Sequence, residues 1–180
     1  MSAAERLRDS GPLGLRVHEV LRSIPDPEMP ISIVDLGLVE EADVDADGNA
    51  GQVRIRLLPT FVGCPALDMI ETDVRAKVAE VDGVSDVDVS FVFDPPWTVE
   101  RITDRGREEL SGHGITVPEH GSRLPVPGHD GTVPLTASAV ACPYCKATQT
   151  RLDSPFGPTR CRMIWYCEAC RQQFEHMKKI

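Results

Sequence analysis

The chain has 180 residues, enough for one or two small domains with a buried core. It carries 19 Lys and Arg against 28 Asp and Glu, a formal net charge of -9, which argues against nucleic acid as the main partner because that affinity comes largely from neutralising phosphates. No apolar run approaches the ~18 residues needed to span a bilayer, and the first residues lack the profile of a secretion signal. We therefore expect a cytoplasmic protein with no membrane partner.

The charge is unevenly distributed along the chain. Residues 1–140 carry 12 basic and 25 acidic side chains, whereas residues 141–180 carry 7 basic and 3 acidic ones. The basic tail keeps open a module that binds nucleic acid or protein through a face of basic and aromatic side chains. The alternative is a solvated basic surface over a small aromatic core. The residues concerned are Arg160, Arg162, Arg171, Lys178 and Lys179 with Phe156, Trp165, Tyr166 and Phe174.

The first predicted elements are a helix and a β-hairpin. The segment LGLRVHEVLRSI spaces its apolar residues by three and four positions, which indicates an amphipathic helix over residues 13–24, and the prolines of PDPEMP end it. The β-branched and apolar segment ISIVDLGLVEEADVD predicts a strand over residues 31–45. The turn residues of ADGNAG and the alternating segment QVRIRLLPT complete the hairpin.

A second helix, a third strand and a short helix follow. From Ala66 onward apolar residues recur at helical spacing, with acidic residues before basic ones as the helix dipole favours. Gly83 ends this helix, and SDVDVSFVF alternates as a half-buried strand. TVERITDRGREELSGHG predicts the short helix. The order α-β-β-α-β-α predicts an α+β fold with a small three-stranded sheet.

Three regions are expected along the chain. Residues 1–114 form the first domain, and residues 115–140, rich in proline and glycine without periodicity, form a linker. Residues 141–180 contain five of the six cysteines. Because the cytosol keeps thiols reduced, these cysteines favour metal ligands or reactive thiols over disulfides.

The tail contains two CxxC motifs separated by 21 residues, CPYC and CEAC. Four thiolates complete the tetrahedral coordination of Zn²⁺, so the spacing predicts a closed structural zinc ribbon, with a redox pair or an iron site as the alternatives. The predicted ligands are Cys142, Cys145, Cys167 and Cys170. Cys161 is expected to be a buried residue of the ribbon hairpin, with a reactive thiol as the alternative.

The sixth cysteine, Cys64, stands alone in the segment TFVGCPAL. It precedes Pro65, and proline is favoured at the first position of a helix. We therefore expect Cys64 at the helix N-cap, where unpaired N–H groups and the helix dipole lower the pKa of a thiol. A buried core residue is the alternative.

The segments IPDPEMPISIVDLGLV, LLPTFVGCPALDMI and DPPWTVERITDRGREEL resemble the SufT-type iron–sulfur cluster assembly domain, with its D-P-E motif, T-x-x-G-C-P motif and late tryptophan. With SPFGPTRC and the four-cysteine tail, the whole chain resembles the family of D components of the phenylacetyl-CoA epoxidase system of aerobic phenylacetate degradation.

This resemblance implies that Asp26 and Glu28 are the acidic pair of the family motif and that Cys64 is its reactive cysteine. We expect Cys64 to be a transient metal ligand with Asp26 or Glu28 as an oxygen neighbour, and a polar proline turn is the alternative for the two acidic residues. Trp97 matches the family tryptophan as a packing residue. The implied role is maturation of the iron–sulfur or iron centres of the epoxidase system. The implied partners are the epoxidase components or their iron–sulfur reductase and other cluster-assembly proteins. A homodimer that pairs two Cys64 residues would supply more ligands, but the sequence does not show one.

An enzyme subunit would need catalytic groups that are missing from the sequence. It has no Glu-x-x-His pair of the di-iron carboxylate type, no G-x-G-x-x-G loop and no P-loop. The five histidines lack ligand spacing, and we expect all of them on the surface or in loops. We therefore expect an assembly factor rather than an enzyme, with a non-catalytic docking subunit and a zinc-ribbon binding module as alternatives.

Overall fold

A computed structural model describes residues 11–47, 50–121 and 140–179. Two predicted segments lie outside the described residues, namely the turn at residues 48–49 and residues 122–139 of the linker. The chain divides into two compact units, Met1–Trp97 with Arg101–Gly106, and Thr98–Glu100 with Arg107–Ile180. Residues 107–116 thus belong to the second unit, although the sequence assigns them to the first domain and the linker. The domain boundaries stay a prediction.

The elements follow the predicted order α-β-β-α-β-α. Helix α1 is followed by strands β1 and β2, helix α2, strand β3, a short 3-10 helix and helix α3. Their bounds are Gly11–Ser23 for α1, Val39–Asp47 for β1, Ala50–Leu57 for β2, Leu67–Ala79 for α2, Val84–Phe91 for β3, Val99–Arg101 for the 3-10 helix and Asp104–Gly112 for α3.

The sheet of the first unit has the strand order β1-β2-β3. Strands β1 and β2 pair antiparallel, and β2 and β3 pair parallel because α2 carries the chain back across the sheet. The buried residues of the strands alternate with exposed ones, so one face packs in the core and the other faces water. The core includes Ala42, Val53, Ile55, Val87 and Val89 of the sheet and Ile70, Val74 and Val78 of α2.

The first strand begins later than the sequence indicates. Ser32 forms an isolated bridge with Pro25, residues 33–37 form a turn, and β1 starts at Val39. The Ser32 hydroxyl accepts a hydrogen bond from the N–H of Asp35 at 3.0 Å, and Gly37 has a φ of 76°, a left-handed conformation that suits glycine. Local side-chain hydrogen bonds thus compete with strand formation although Ile31 and Ile33 are buried. The prediction of a strand from residue 31 was wrong.

The second unit contains a four-stranded sheet of order β4-β7-β6-β5. The strands are Ile115–Thr116 for β4, Thr150–Ser154 for β5, Arg162–Cys167 for β6 and Gln173–Met177 for β7. Strand β6 lies between the two CxxC motifs and belongs to the hairpin expected in the ribbon. Strand β4 pairs parallel to β7 and comes from residues that the sequence assigns to the linker.

Aromatic side chains fill the ribbon core. Trp165 and Phe174 are each 3% exposed and pack with Cys142 and Cys167. Trp165 and Phe174 therefore do not belong to the exposed basic and aromatic face that the sequence left open, and the alternative of a small aromatic core is confirmed for these two. The sequence also predicted a surface or loop position for His18, but this residue lies on the buried side of α1 and is 7% exposed.

No helix in the described ranges combines the length and apolarity needed to cross a membrane.

Candidate functional site

The four predicted ligands converge in the second unit. The sulfurs of Cys142, Cys145, Cys167 and Cys170 all lie within 4.8 Å of one another. Cys142 and Cys170 are separated by 3.6 Å between sulfurs, as are Cys145 and Cys167. A tetrahedral ion with metal–sulfur bonds of about 2.3 Å holds its sulfurs about 3.8 Å apart. The four thiols therefore have the chemistry and spacing to hold one metal ion.

The two CxxC motifs form the same turn twice. The N–H of Lys146 donates to the carbonyl of Cys142 at 2.9 Å, and the N–H of Arg171 donates to the carbonyl of Cys167 at 2.8 Å. Lys146 and Arg171 have φ values of 63° and 60°. Glycine commonly marks this left-handed conformation in a sequence. Because lysine and arginine stand there instead, sequence reasoning missed both positions.

The thiols of this cluster differ in acidity. The backbone N–H of Cys170 holds the pKa of the Cys167 thiol at about 7, below its ordinary value. Burial raises the pKa of the Cys170 thiol to about 12. Without a cation, the cluster thus favours the thiolate form of Cys167 and disfavours a second thiolate at Cys170 close beside it. A bound divalent cation removes that opposition by neutralising the sulfurs.

Cys64 lies half-buried in the loop between β2 and α2. Its N–H donates to the carbonyl of Phe61 at 3.3 Å, and the preceding Gly63 has a φ of 84°. Helix α2 begins at Leu67 with Ala66 as its N-cap, so the prediction of Cys64 as the N-cap was wrong. Pro65 occupies the turn before the helix. Proline fits a turn as well as a first helical position, so it did not fix the boundary.

This position changes the electrostatic argument for Cys64. The influence of a helix dipole falls off within the first turn. A residue two positions before the N-cap therefore receives less of it than an N-cap residue would. The thiol is nevertheless half-buried on a loop rather than on the apolar face of α2, whose buried residues are Ile70, Val74 and Val78.

Asp26 and Glu28 lie in the turn between α1 and β1. Asp26 is buried at 8% exposure, and its carboxylate oxygen Oδ1 accepts the N–H of Glu28 at 2.8 Å. The N–H of Asp26 donates to the carbonyl of Ile31 at 2.9 Å. The PDPE segment is therefore an ordered turn held by its own first carboxylate. One of the Asp26 oxygens is partly engaged by this turn.

The topology places these two loops at the same end of the sheet. The loop containing Asp26 and Glu28 leads into the start of β1, and the loop containing Cys64 leaves the end of the antiparallel neighbour β2. The N–H of Leu58 donates to the carbonyl of Leu38 at 2.7 Å across these two connections. Among the described residues, however, only the four ribbon cysteines form a group of three or more ligands that could share an ion.

Asp35 and Trp97 support the loop before β1. The Asp35 carboxylate accepts hydrogen bonds from the hydroxyls of Ser32 and Thr103 at 2.9 and 2.8 Å. The indole N–H of Trp97 donates to the carbonyl of Leu36 at 3.0 Å and is 3% exposed. Thr103 also accepts the N–H of Gly106 and so begins α3. Asp35 and Trp97 thus serve structure, and Ser32 and Thr103 are partners that sequence reasoning missed.

Comparison with known proteins matches two separate parts of the chain to two families. Residues 16–91 match the family described as iron-sulfur cluster assembly protein, and residues 128–178 match the PaaD zinc beta ribbon domain. A relative in Escherichia coli, provisionally named as the D component of 1,2-phenylacetyl-CoA epoxidase, is 34% identical over 169 residues, which cover 92% of this chain and 94% of the relative. The match extends across both units.

The chain belongs to the family of phenylacetyl-CoA epoxidase D components. Shorter relatives match the first part alone. An Fe-S protein maturation auxiliary factor of Porphyromonas gingivalis is 40% identical over 52% of this chain and 87% of its own length. The maturation auxiliary factor SufT of Staphylococcus aureus is 36% identical over 43% of this chain and 85% of its own length. The family therefore combines an iron–sulfur assembly domain with a four-cysteine ribbon.

Proposed function

We propose that this protein matures the iron–sulfur or iron centres of the phenylacetyl-CoA epoxidase system. Cys64 acts as a transient ligand of the iron being transferred, and Asp26 and Glu28 supply oxygen ligands beside it. The supporting observation is that the segment following Asp26 and Glu28 enters β1 at the end of the sheet where the segment bearing Cys64 leaves β2. The relatives named as maturation factors share this domain.

A site of this kind suits transfer better than storage. Stable clusters use about four cysteine ligands, whereas this loop offers one thiol. A centre held by one thiolate and one or two carboxylates is easily displaced by the thiolates of a client protein. This exchange replaces ligands and needs no oxidant or reductant. A homodimer that pairs two Cys64 residues would supply further ligands during the transfer.

The ribbon binds Zn²⁺ as a structural ion in this proposal. Its ligands are Cys142, Cys145, Cys167 and Cys170, which leave no open coordination position for substrate. The protein is then a cytoplasmic assembly factor and not an enzyme. Its partners are the epoxidase components or their iron–sulfur reductase, together with other cluster-assembly proteins.

The decisive experiment measures metal in the client. A host expresses the epoxidase complex and its reductase with this protein intact, deleted, or carrying Cys64→Ser. Iron, acid-labile sulfide and epoxidation are then measured on the purified components. We expect deletion and Cys64→Ser to lower iron and sulfide in the client to a similar extent. Val62→Ser is the matched control, because Val62 is 80% exposed in the same loop and its replacement leaves the thiol in place.

A client with normal metal but without activity would contradict the maturation role. It would favour the second candidate, a non-catalytic docking subunit of the epoxidase complex. A loss of several kcal/mol in stability on Cys64→Ser, in the range of core truncations, would instead identify Cys64 as a core residue. Urea denaturation of the purified variant measures this directly.

A further inference from the structure

The connection between β5 and β6 exposes a large aromatic side chain. Phe156 is 78% exposed, and it stands between Pro155 and Pro158 in the segment SPFGPTRC. A phenylalanine in this position adds little to the fold, because burial is what makes an aromatic side chain stabilising.

This connection is held in a defined conformation. The Ser154 hydroxyl accepts the N–H of Phe156 at 3.1 Å and donates to its carbonyl at 2.8 Å. The N–H of Gly157 donates to the carbonyl of Arg162 at 3.0 Å. A Cβ atom at Gly157 would lie 2.9 Å from the backbone of Arg162, so glycine is needed for this close approach. Phe156 is thus presented by an ordered turn, which lowers the entropy lost on binding.

Positive charge accompanies the exposed ring. The amine of Lys178 lies 5.5 Å from the centroid of the Phe156 ring. The N–H of Lys178 donates to the carbonyl of Cys161 at 2.8 Å, which fixes the backbone beside the turn. Arg160 is exposed in the same connection. Lys178 and Arg160 thus provide positive charge beside this connection, which suits an acidic partner.

We propose that Phe156, Arg160 and Lys178 form a docking surface for a client protein that offers an apolar pocket with an acidic rim. The identity of the client as a component of the epoxidase system rests on the proposed function. Aromatic residues such as Phe156 and arginines such as Arg160 are enriched in protein interfaces. A single-stranded nucleic acid fits less well, because Trp165 and Phe174 are buried and cannot stack with bases beside Phe156.

The test uses the full-length protein and two purified probes, the epoxidase oxygenase component and its iron–sulfur reductase. Affinity for each is measured by isothermal titration calorimetry with the unchanged protein, Phe156→Ala, and the double variant Arg160→Glu with Lys178→Glu. We expect Phe156→Ala to weaken binding to one probe at least about tenfold. We expect the charge variant to weaken it as well and to remove its dependence on NaCl concentration.

Leu15→Ala is the matched control, because Leu15 is exposed to 47% on α1 in the first unit. It should bind as the unchanged protein does. Zinc content and the melting temperature of Phe156→Ala should also be unchanged, since the side chain is exposed. Binding of neither probe, binding that Phe156→Ala leaves intact, or tight binding of a single-stranded oligonucleotide in place of both proteins would overturn the proposal.

The same variants separate docking from maturation. The Cys64→Ser protein should bind the probe normally while the iron content of the client falls. The Phe156→Ala protein should lose binding, and overexpression of this variant should restore the iron content of the client. If Phe156-dependent binding persists but client iron is normal in the deletion strain, the docking surface stands and the maturation role falls. If deletion lowers client iron but neither probe binds, the maturation role stands and the docking surface falls.

Discussion

At the scale of single residues, Asp35 shows how a buried carboxylate can serve the fold. Its side chain is almost completely buried at 3% exposure and joins Ser32 to Thr103 through its two oxygens. Its carbonyl also accepts the N–H of Thr103 at 3.0 Å. A buried carboxylate with this number of donors is a structural junction between the loop before β1 and the start of α3.

Replacement of Asp35 by alanine should therefore lower stability. The buried Ser32 hydroxyl would lose its acceptor, which costs about 1–3 kcal/mol, whereas Thr103 is exposed and its hydroxyl can bond to water instead. We expect a decrease of about 1–3 kcal/mol in the free energy of unfolding, measured by urea denaturation. Asp45→Ala is the control, because Asp45 is exposed on β1 and its loss should change stability by less than about 0.5 kcal/mol. Equal effects of the two replacements would contradict this assignment.

At the scale of elements, the two CxxC turns share a strained residue directly after the second cysteine. Lys146 and Arg171 adopt the left-handed conformation, which costs a non-glycine residue about 1–2 kcal/mol. Both turns close on the carbonyl of their first cysteine. The strain is compensated when the four sulfurs are gathered around one ion.

Relief of this strain should strengthen the ribbon. Arg171→Gly is expected to raise the stability of the metal-bound ribbon by about 0.5–1 kcal/mol, because glycine adopts positive φ without a Cβ clash. Arg171→Val should lower it, since branched side chains disfavour this conformation most. Thermal unfolding and zinc retention against a chelator provide the measurements. Arg160→Gly serves as a control, because Arg160 has no positive φ and should gain nothing.

The sequence predicted the elements whose pattern is periodic. Helices α1 and α2 and strand β3 follow from the spacing of their apolar residues, and β6 follows from the apolar segment between the cysteines. The turn at residues 33–37 was missed because a local hydrogen bond between Ser32 and Asp35 outweighs β propensity. The two-residue strand β4 is too short to have a pattern of its own.

The candidate sites were predictable to different degrees. Four cysteines in two CxxC motifs identify a metal ribbon because the chemistry is local and the spacing is restrictive. Cys64 could be singled out, but its position relative to α2 depended on whether Pro65 belongs to a turn or a helix. The Ser32–Asp35–Thr103 network joins residues up to 71 positions apart, so no local sequence pattern indicates it.

At the scale of the whole molecule, the two units are expected to depend on metal to different degrees. The first has a core of fully buried Leu, Ile and Val residues, including Leu21, Ile33 and Ile55. The ribbon core consists of Cys142, Trp165, Cys167 and Phe174 with a few half-buried neighbours. A core of that size is insufficient without additional stabilisation from a metal ion.

Removal of the ion should therefore unfold the ribbon and leave the first unit folded. Cys142→Ser and Cys170→Ser should release zinc and expose the amides of β5, β6 and β7 to hydrogen exchange, while β2 and β3 remain protected. A chelator should reproduce this in the unchanged protein. Full zinc content and unchanged melting in either variant would rule out the closed four-cysteine site. Equal loss of protection in both sheets would show that the whole chain depends on the ion.

The placement of the six cysteines also has a practical consequence for spectroscopy. Cys161 is 3% exposed, and the four ribbon thiols are occupied once zinc is bound. Half-buried Cys64 is then the thiol that a maleimide dye or spin label reaches first. A probe attached there would report on the loop between β2 and α2 when the proposed client is added, so the native sequence already provides a selective labelling position.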